Sequence, residues 1–146
     1  MSGFPLVYPM FAMVLLTFAV AVVLFRARIR AVREGHTAVS YFRTFAGSPP
    51  EHEFLAKPTR HFANLFEVPT LFYAGCLAAM VVGATGPTGL VLAWGYVAAR
   101  LAHAWVHLGG NRVRHRFRIY LASWIFLLAL WVYVCSAVAL KSGSPV

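Results

Sequence analysis

Three stretches of the chain carry no charged residue: Ser2 to Phe25, Val68 to Ala99 and Ile119 to Leu140. A helix that crosses a bilayer needs about 20 mostly apolar residues. The first and third stretches each hold one such helix. The middle stretch is longer and is interrupted by Gly83-Ala84-Thr85-Gly86-Pro87-Thr88-Gly89, a tight-turn composition. It therefore predicts two helices. The expected architecture is an all-α membrane protein, an antiparallel four-helix transmembrane bundle. Its spans fall at about 5–25, 60–82, 90–108 and 118–140, with cytoplasmic loops at about 26–59 and 109–117.

Two ionisable residues interrupt the apolar pattern. Glu67 lies in the second span and Arg100 in the third. A charge at membrane depth is expensive and by default marks a site with a partner. The two have opposite signs and lie on different predicted helices, so they are candidates for an ion pair, with ligand contact by Glu67 still open. Arg60, Asn64, Glu67 and Leu71 fall at i, i+4, i+7 and i+11, on one face of the second helix. Tyr96, Arg100, His103 and His107 repeat that spacing on the third. Both polar stripes run toward the same end of their helices. Pro69 leaves the carbonyl of Leu65 without its usual helical partner and predicts a kink near Glu67.

Composition fits a small polytopic protein of one domain. Of 146 residues, 60% are hydrophobic and 12% charged, which is more apolar than a soluble domain. The net charge of +9 raises nucleic acid as a partner, and its placement argues against it. Arg26, Arg28, Arg30, Arg33, Arg43, Lys57 and Arg60 lie between spans one and two, and Arg112, Arg114, Arg116 and Arg118 between three and four. The turn at 83–89 has no charge, and only Lys141 follows the fourth span. The positive-inside rule then puts both basic loops in the cytoplasm and both termini outside. For most of these arginines, topology and anionic lipid headgroups are sufficient roles. The first span has no basic residue before it and is longer than a signal-peptide core, so it is expected to persist as a helix. Cys76 and Cys135 lie in apolar spans without metal-ligand spacing, and no metal is expected. In the first loop, Ala27 to Glu34 can continue helix one, 47–53 reads as a turn, and the tail 142–145 is expected to be disordered.

A cytoplasm-facing pocket of arginines, histidines, an asparagine and one glutamate suits a small, zwitterionic, mostly anionic ligand. Arginine forks bind carboxylates, a glutamate binds an ammonium, and an arginine beside a thiol favours the thiolate. Glutathione has two carboxylates, an amine and a thiol. Composition alone does not select it over other amphipathic anions.

Spacing adds to this. The run Arg60-x-x-x-Asn64-x-x-Glu67 followed closely by Pro69, the later Arg100-x-x-His103-x-x-x-His107-Leu108-Gly109, and a basic stretch ending in Tyr120 resemble the MAPEG family. These are membrane-associated proteins of eicosanoid and glutathione metabolism. Within it, the chain looks like a bacterial-type member similar to the microsomal glutathione transferases. The resemblance covers all four spans. It implies a homotrimer in a bacterial inner membrane, with glutathione as co-substrate between protomers and a hydrophobic electrophile as second substrate. It also implies that Arg60, Asn64 and Glu67 hold glutathione, joined by Arg100, His103, His107 and a helix-one arginine, Arg26 or Arg28. Arg116 and Tyr120 match the thiol-side pair of the prostaglandin E synthase branch, with Arg114 as rival to Arg116. His103 is histidine in that branch and tyrosine in the leukotriene C4 synthase branch, and His107 replaces a tyrosine of both. Ala63 stands where the prostaglandin E synthase branch has a further arginine, and Phe117 where it has a serine. These departures point away from eicosanoid synthesis and toward a glutathione transferase or peroxidase. Two other readings remain. One is a catalytically silent membrane protein of the same fold. The other is a haem-binding bundle using His103 or His107 with His61.

Overall fold

The computed structural model describes residues 4–45, 52–110 and 112–142. It contains five helices: α1 (Val7–Arg33), α2 (Val39–Thr44), α3 (Glu53–Val81), α4 (Pro87–Leu108) and α5 (Val113–Ser142). Burial along α1 falls on Pro9, Met13, Leu16, Val20 and Leu24, a stripe of three- and four-residue steps. Its remaining surface is also apolar: Phe11, Leu15, Phe18 and Val22 are exposed. On α5, Ile125, Leu128 and Val132 are exposed in the same way, while Ser123, Leu127, Leu130 and Val134 face inward. A helix apolar on every side belongs in lipid or a large core, and this chain is too small for the second. Among the described residues, α1, α3 and α5 are long and apolar enough to cross a membrane. The molecule is an all-α, multi-span membrane-helix bundle.

Contacts give the packing order. α1 lies mainly on α3, and α4 mainly on α5. α3 and α4 run in opposite directions: His61 meets His107, Asn64 meets Arg100, and Phe72 stacks on Tyr96 with ring centroids 4.3 Å apart. α5 runs with α3, since Trp131 Nε1 donates to the Leu71 carbonyl and Lys141 Nζ to that of Val82. The core joins Met13 and Val20 of α1 to Phe72, Cys76, Tyr96 and Leu130. A second cluster, Leu24, Ala31 and Leu55 with Phe42 and Phe54, ties the ends of α1, α2 and α3 together.

The α3–α4 connection follows from its glycines. Gly83 adopts φ +72°, and the Ala84 N–H reaches back to the Ala79 carbonyl while that of Gly83 reaches Met80. This is a Schellman close, in which a left-handed residue satisfies the last free carbonyls. Gly86 then caps α4, and Pro87 occupies its first turn, where its missing N–H costs nothing.

Helix ends differ from the apolar boundaries. α1 continues to Arg33, α3 already begins at Glu53, and α5 begins at Val113, so most of the expected loop 109–117 is helical. α2 has no counterpart among the expected spans. Arginine and lysine are good helix formers, so a charged segment ends a hydropathy run without ending a helix. α3 is one helix across both Pro58 and Pro69. The expected turn at 47–53 lies largely outside the described residues; of the tail expected to be disordered, Ser142 is the last residue of α5 and the rest lies outside the described residues.

Candidate functional site

Arg100 is fully buried at the centre of the bundle. Its Nη2 donates to Asn64 Oδ1 at 2.5 Å and more weakly to the Asn64 carbonyl at 3.4 Å. Its guanidinium also lies 6.0 Å from the Tyr120 ring centroid. Asn64 Nδ2 in turn donates to Glu67 Oε2 at 3.4 Å. The expected Arg100–Glu67 ion pair is therefore not formed as a direct contact. Asn64 stands between the two, relaying from buried cation to exposed carboxylate. The cause is depth: Arg100 points into the α3–α4 seam, whereas Glu67 is on the open side of α3.

That open side borders a cleft of about 500 Å³ between α3, α4 and α5. α3 supplies Arg60, Ala63, Asn64 and Glu67. α4 supplies His103 and His107, one turn apart on the same face. The first two turns of α5 supply Val113, Arg116, Phe117 and Tyr120. Early onset of α5 makes this wall possible, because only a helix puts 113, 116, 117 and 120 on one side. Arg116 is fixed at two points: its carbonyl lies 3.3 Å from His103 Nδ1, and its Nη1 lies 3.5 Å from His107 Nε2. A smaller recess of about 90 Å³ continues toward Glu53 and Lys57, sharing Arg60, His107 and Arg116. Lys57 is paired with Glu53 at 3.0 Å. The surplus charge on the cleft wall is thus positive.

Of the residues expected at the site, Arg60, Asn64, Glu67, His103, His107, Arg116 and Tyr120 share this one cleft. Four others lie elsewhere, among them Arg26, exposed on α1 and lining none of the cleft. Arg100 is behind the wall and reaches the site only through Asn64. Arg28 on α1 lies over the rings of Phe42 and Phe45, at 5.5 and 5.7 Å. Arg114 is exposed on α5 and lines none of the cleft. Sequence reasoning gave His61 a role only in the haem reading. It is fully buried on α3, its ring 5.5 Å from that of His103 and 5.0 Å from that of His107. Rings this close leave no slab for a porphyrin between them. Its signal was present in the chain: His61, Leu65, Val68 and Phe72 form the buried stripe of α3, and His61 is its polar member.

A membrane-helix bundle with a polar cleft at one end, walled by arginines, histidines and a carboxylate, is the class that fold and site define. Residues 6–136 match the model of the MAPEG family, and the chain belongs to that family, which is associated with glutathione metabolism. No curated protein and no solved structure matches the chain.

Proposed function

We propose that the α3–α4–α5 cleft binds glutathione and that the protein is a glutathione transferase or peroxidase acting on hydrophobic electrophiles. The observation that carries this reading is the convergence of Arg60, Asn64, Glu67, His103, His107, Arg116 and Tyr120 on one cleft. Arg60 provides a fork for a carboxylate and Glu67 a partner for the ammonium, with Asn64 oriented between them by Arg100. Arg116 is the arginine for the sulfur, since it lines the cleft and Arg114 does not. Tyr120, four residues on along α5, offers its hydroxyl to the same atom.

The chemistry follows from charge. A free thiol with a pKa near 8.5 is only about 3% thiolate at pH 7, and each unit of lowering raises that fraction severalfold. A fixed guanidinium beside the sulfur favours the ionised form. The thiolate attacks an electrophilic carbon; the S–C bond forms, and the leaving group departs with its electron pair. On a hydroperoxide the same attack cleaves O–O to give an alcohol and glutathione sulfenic acid, which a second glutathione converts to the disulfide and water. The electrophile arrives from the bilayer along the exposed apolar faces. In this reading α4 also crosses the membrane, as the third of four spans, both basic segments face the cytoplasm of a bacterial inner membrane, and the protomers form a trimer that completes the cleft.

The test is difference absorbance of bound thiolate together with conjugation of a model aryl halide. Arg116→Ala should lose the thiolate signal and lower kcat by one to two orders of magnitude while glutathione still binds. Normal turnover in Arg116→Ala with loss in Arg114→Ala would transfer the role. No thiolate and no conjugation in the unmodified protein would leave a silent member of the family.

A further inference from the structure

We propose that His61, His103 and His107 form a binding site for a divalent transition-metal ion of the zinc type. The three side chains are 0%, 4% and 7% exposed. Each offers a ring nitrogen, and these nitrogens all lie within 4.8 Å of one another. His103 and His107 are presented by successive turns of α4, and His61 faces them from α3. Among the described residues, neither nitrogen of His61 has a hydrogen-bond partner, nor has Nδ1 of His107. A buried polar atom is normally bonded. Here three are left unpaired at the point where three imidazoles converge.

The arrangement has further features of a ligand set. His103 Nδ1 faces the Arg116 carbonyl at 3.3 Å. Donation there fixes the tautomer and leaves Nε2 as a lone pair, the usual outer support of a metal-bound histidine. Imidazole suits zinc, copper and nickel, and three histidines with one further position is a known zinc coordination. Zinc–nitrogen bonds of about 2.0–2.1 Å require the nitrogens to draw closer, by rotation of side chains on two packed helices. His107 would also exchange its long 3.5 Å contact with Arg116 for the ion.

Charge shapes what completes the site. Three neutral ligands leave the ion's charge uncompensated near Arg100 and Arg116. The fourth ligand is therefore an anion, hydroxide or a thiolate, and it enters from the cleft because His103 and His107 line it. The site shares His103 and His107 with the proposed glutathione cleft and adds His61, which the cleft does not include, so metal binding to the glutathione-free protein tests it separately from that reading. The sequence shows two of the three ligands, His103-x-x-x-His107 on one helix face; the third ligand comes from α3, which spacing along the chain does not reveal.

The test uses the full-length protein in detergent, stripped with a chelator and titrated with Co(II). Visible ligand-field bands of low-coordinate cobalt should appear, saturate at one ion per chain and vanish on addition of Zn(II). His61→Ala and, independently, His103→Gln should weaken cobalt binding at least tenfold, with helix content checked by circular dichroism. Replacing the exposed pair His36 and His52, whose rings lie 3.9 Å apart, should leave the bands unchanged. Absence of the bands in the unmodified protein, their persistence in both site variants, or their loss with His36 and His52 would overturn the proposal.

Discussion

Arg100 shows how one residue organises the site without lining it. A buried guanidinium needs acceptors, and Asn64 supplies both that it has among the described residues. Hydrogen bonds to charged groups contribute about 1.5–3 kcal/mol, and the loss is greatest when one partner remains buried alone. Asn64→Ala should therefore lower stability in detergent by about that amount. Arg100→Met combined with Asn64→Ala should recover part of it, because removing both partners leaves no orphaned charge. Unfolding of the two variants by denaturant checks this; an Asn64→Ala protein as stable as the original would contradict the relay. The residues themselves were legible in the chain, since a charge inside an apolar run is conspicuous. Their pairing was not. Helical spacing gives the face of a residue but not its depth, and depth decides that Arg100 reaches Asn64 rather than Glu67.

Among the helices, α4 was legible as a face and poorly legible as a span. Tyr96, Arg100, His103 and His107 share one face, as their spacing indicated, and all four are buried. The same polar residues dilute its apolar run, and α4 is not among the three helices that meet the length and hydropathy of a membrane crossing. Hydropathy also placed the start of α5 at about 118, and so missed the first turn, which carries Val113, Arg116 and Phe117 into the wall beside Tyr120. α4 holds that wall in place by close packing. A Cβ built on Gly95 would stand 2.4 Å from the Phe126 ring, nearer than real contacts allow. Overpacking of this kind typically costs 1–3 kcal/mol, so Gly95→Ala should destabilise by about that much. A shift of thermal unfolding by less than the wild-type scatter would show that the α4–α5 seam is looser than described.

For the whole molecule, charge and contacts agree on one polar end. Lys57 Nζ lies 3.5 Å from the Gly109 carbonyl, which brings the start of α3 to the end of α4. Arg112, Arg114 and Arg118 follow directly, and the end of α1 joins the start of α3 through Ala31 and Leu55. Lys141 sits at the opposite end beside Val82. If the arginine-rich end is cytoplasmic, single cysteines placed at 112 and 141, in a protein with Cys76 and Cys135 replaced by serine, should react with an impermeant maleimide from opposite sides of the membrane. Labelling of both from one side would mean that α5, which runs between them, does not span.

In the proposed function, glutathione binds in the cleft between α3, α4 and α5. Calorimetric titration of glutathione into the detergent-purified protein tests it most directly. One saturable class of sites is predicted, weakened at least tenfold by Glu67→Gln and by Arg60→Ala and unaffected by Arg114→Ala. No saturable binding, or binding indifferent to Glu67 and Arg60, would contradict it.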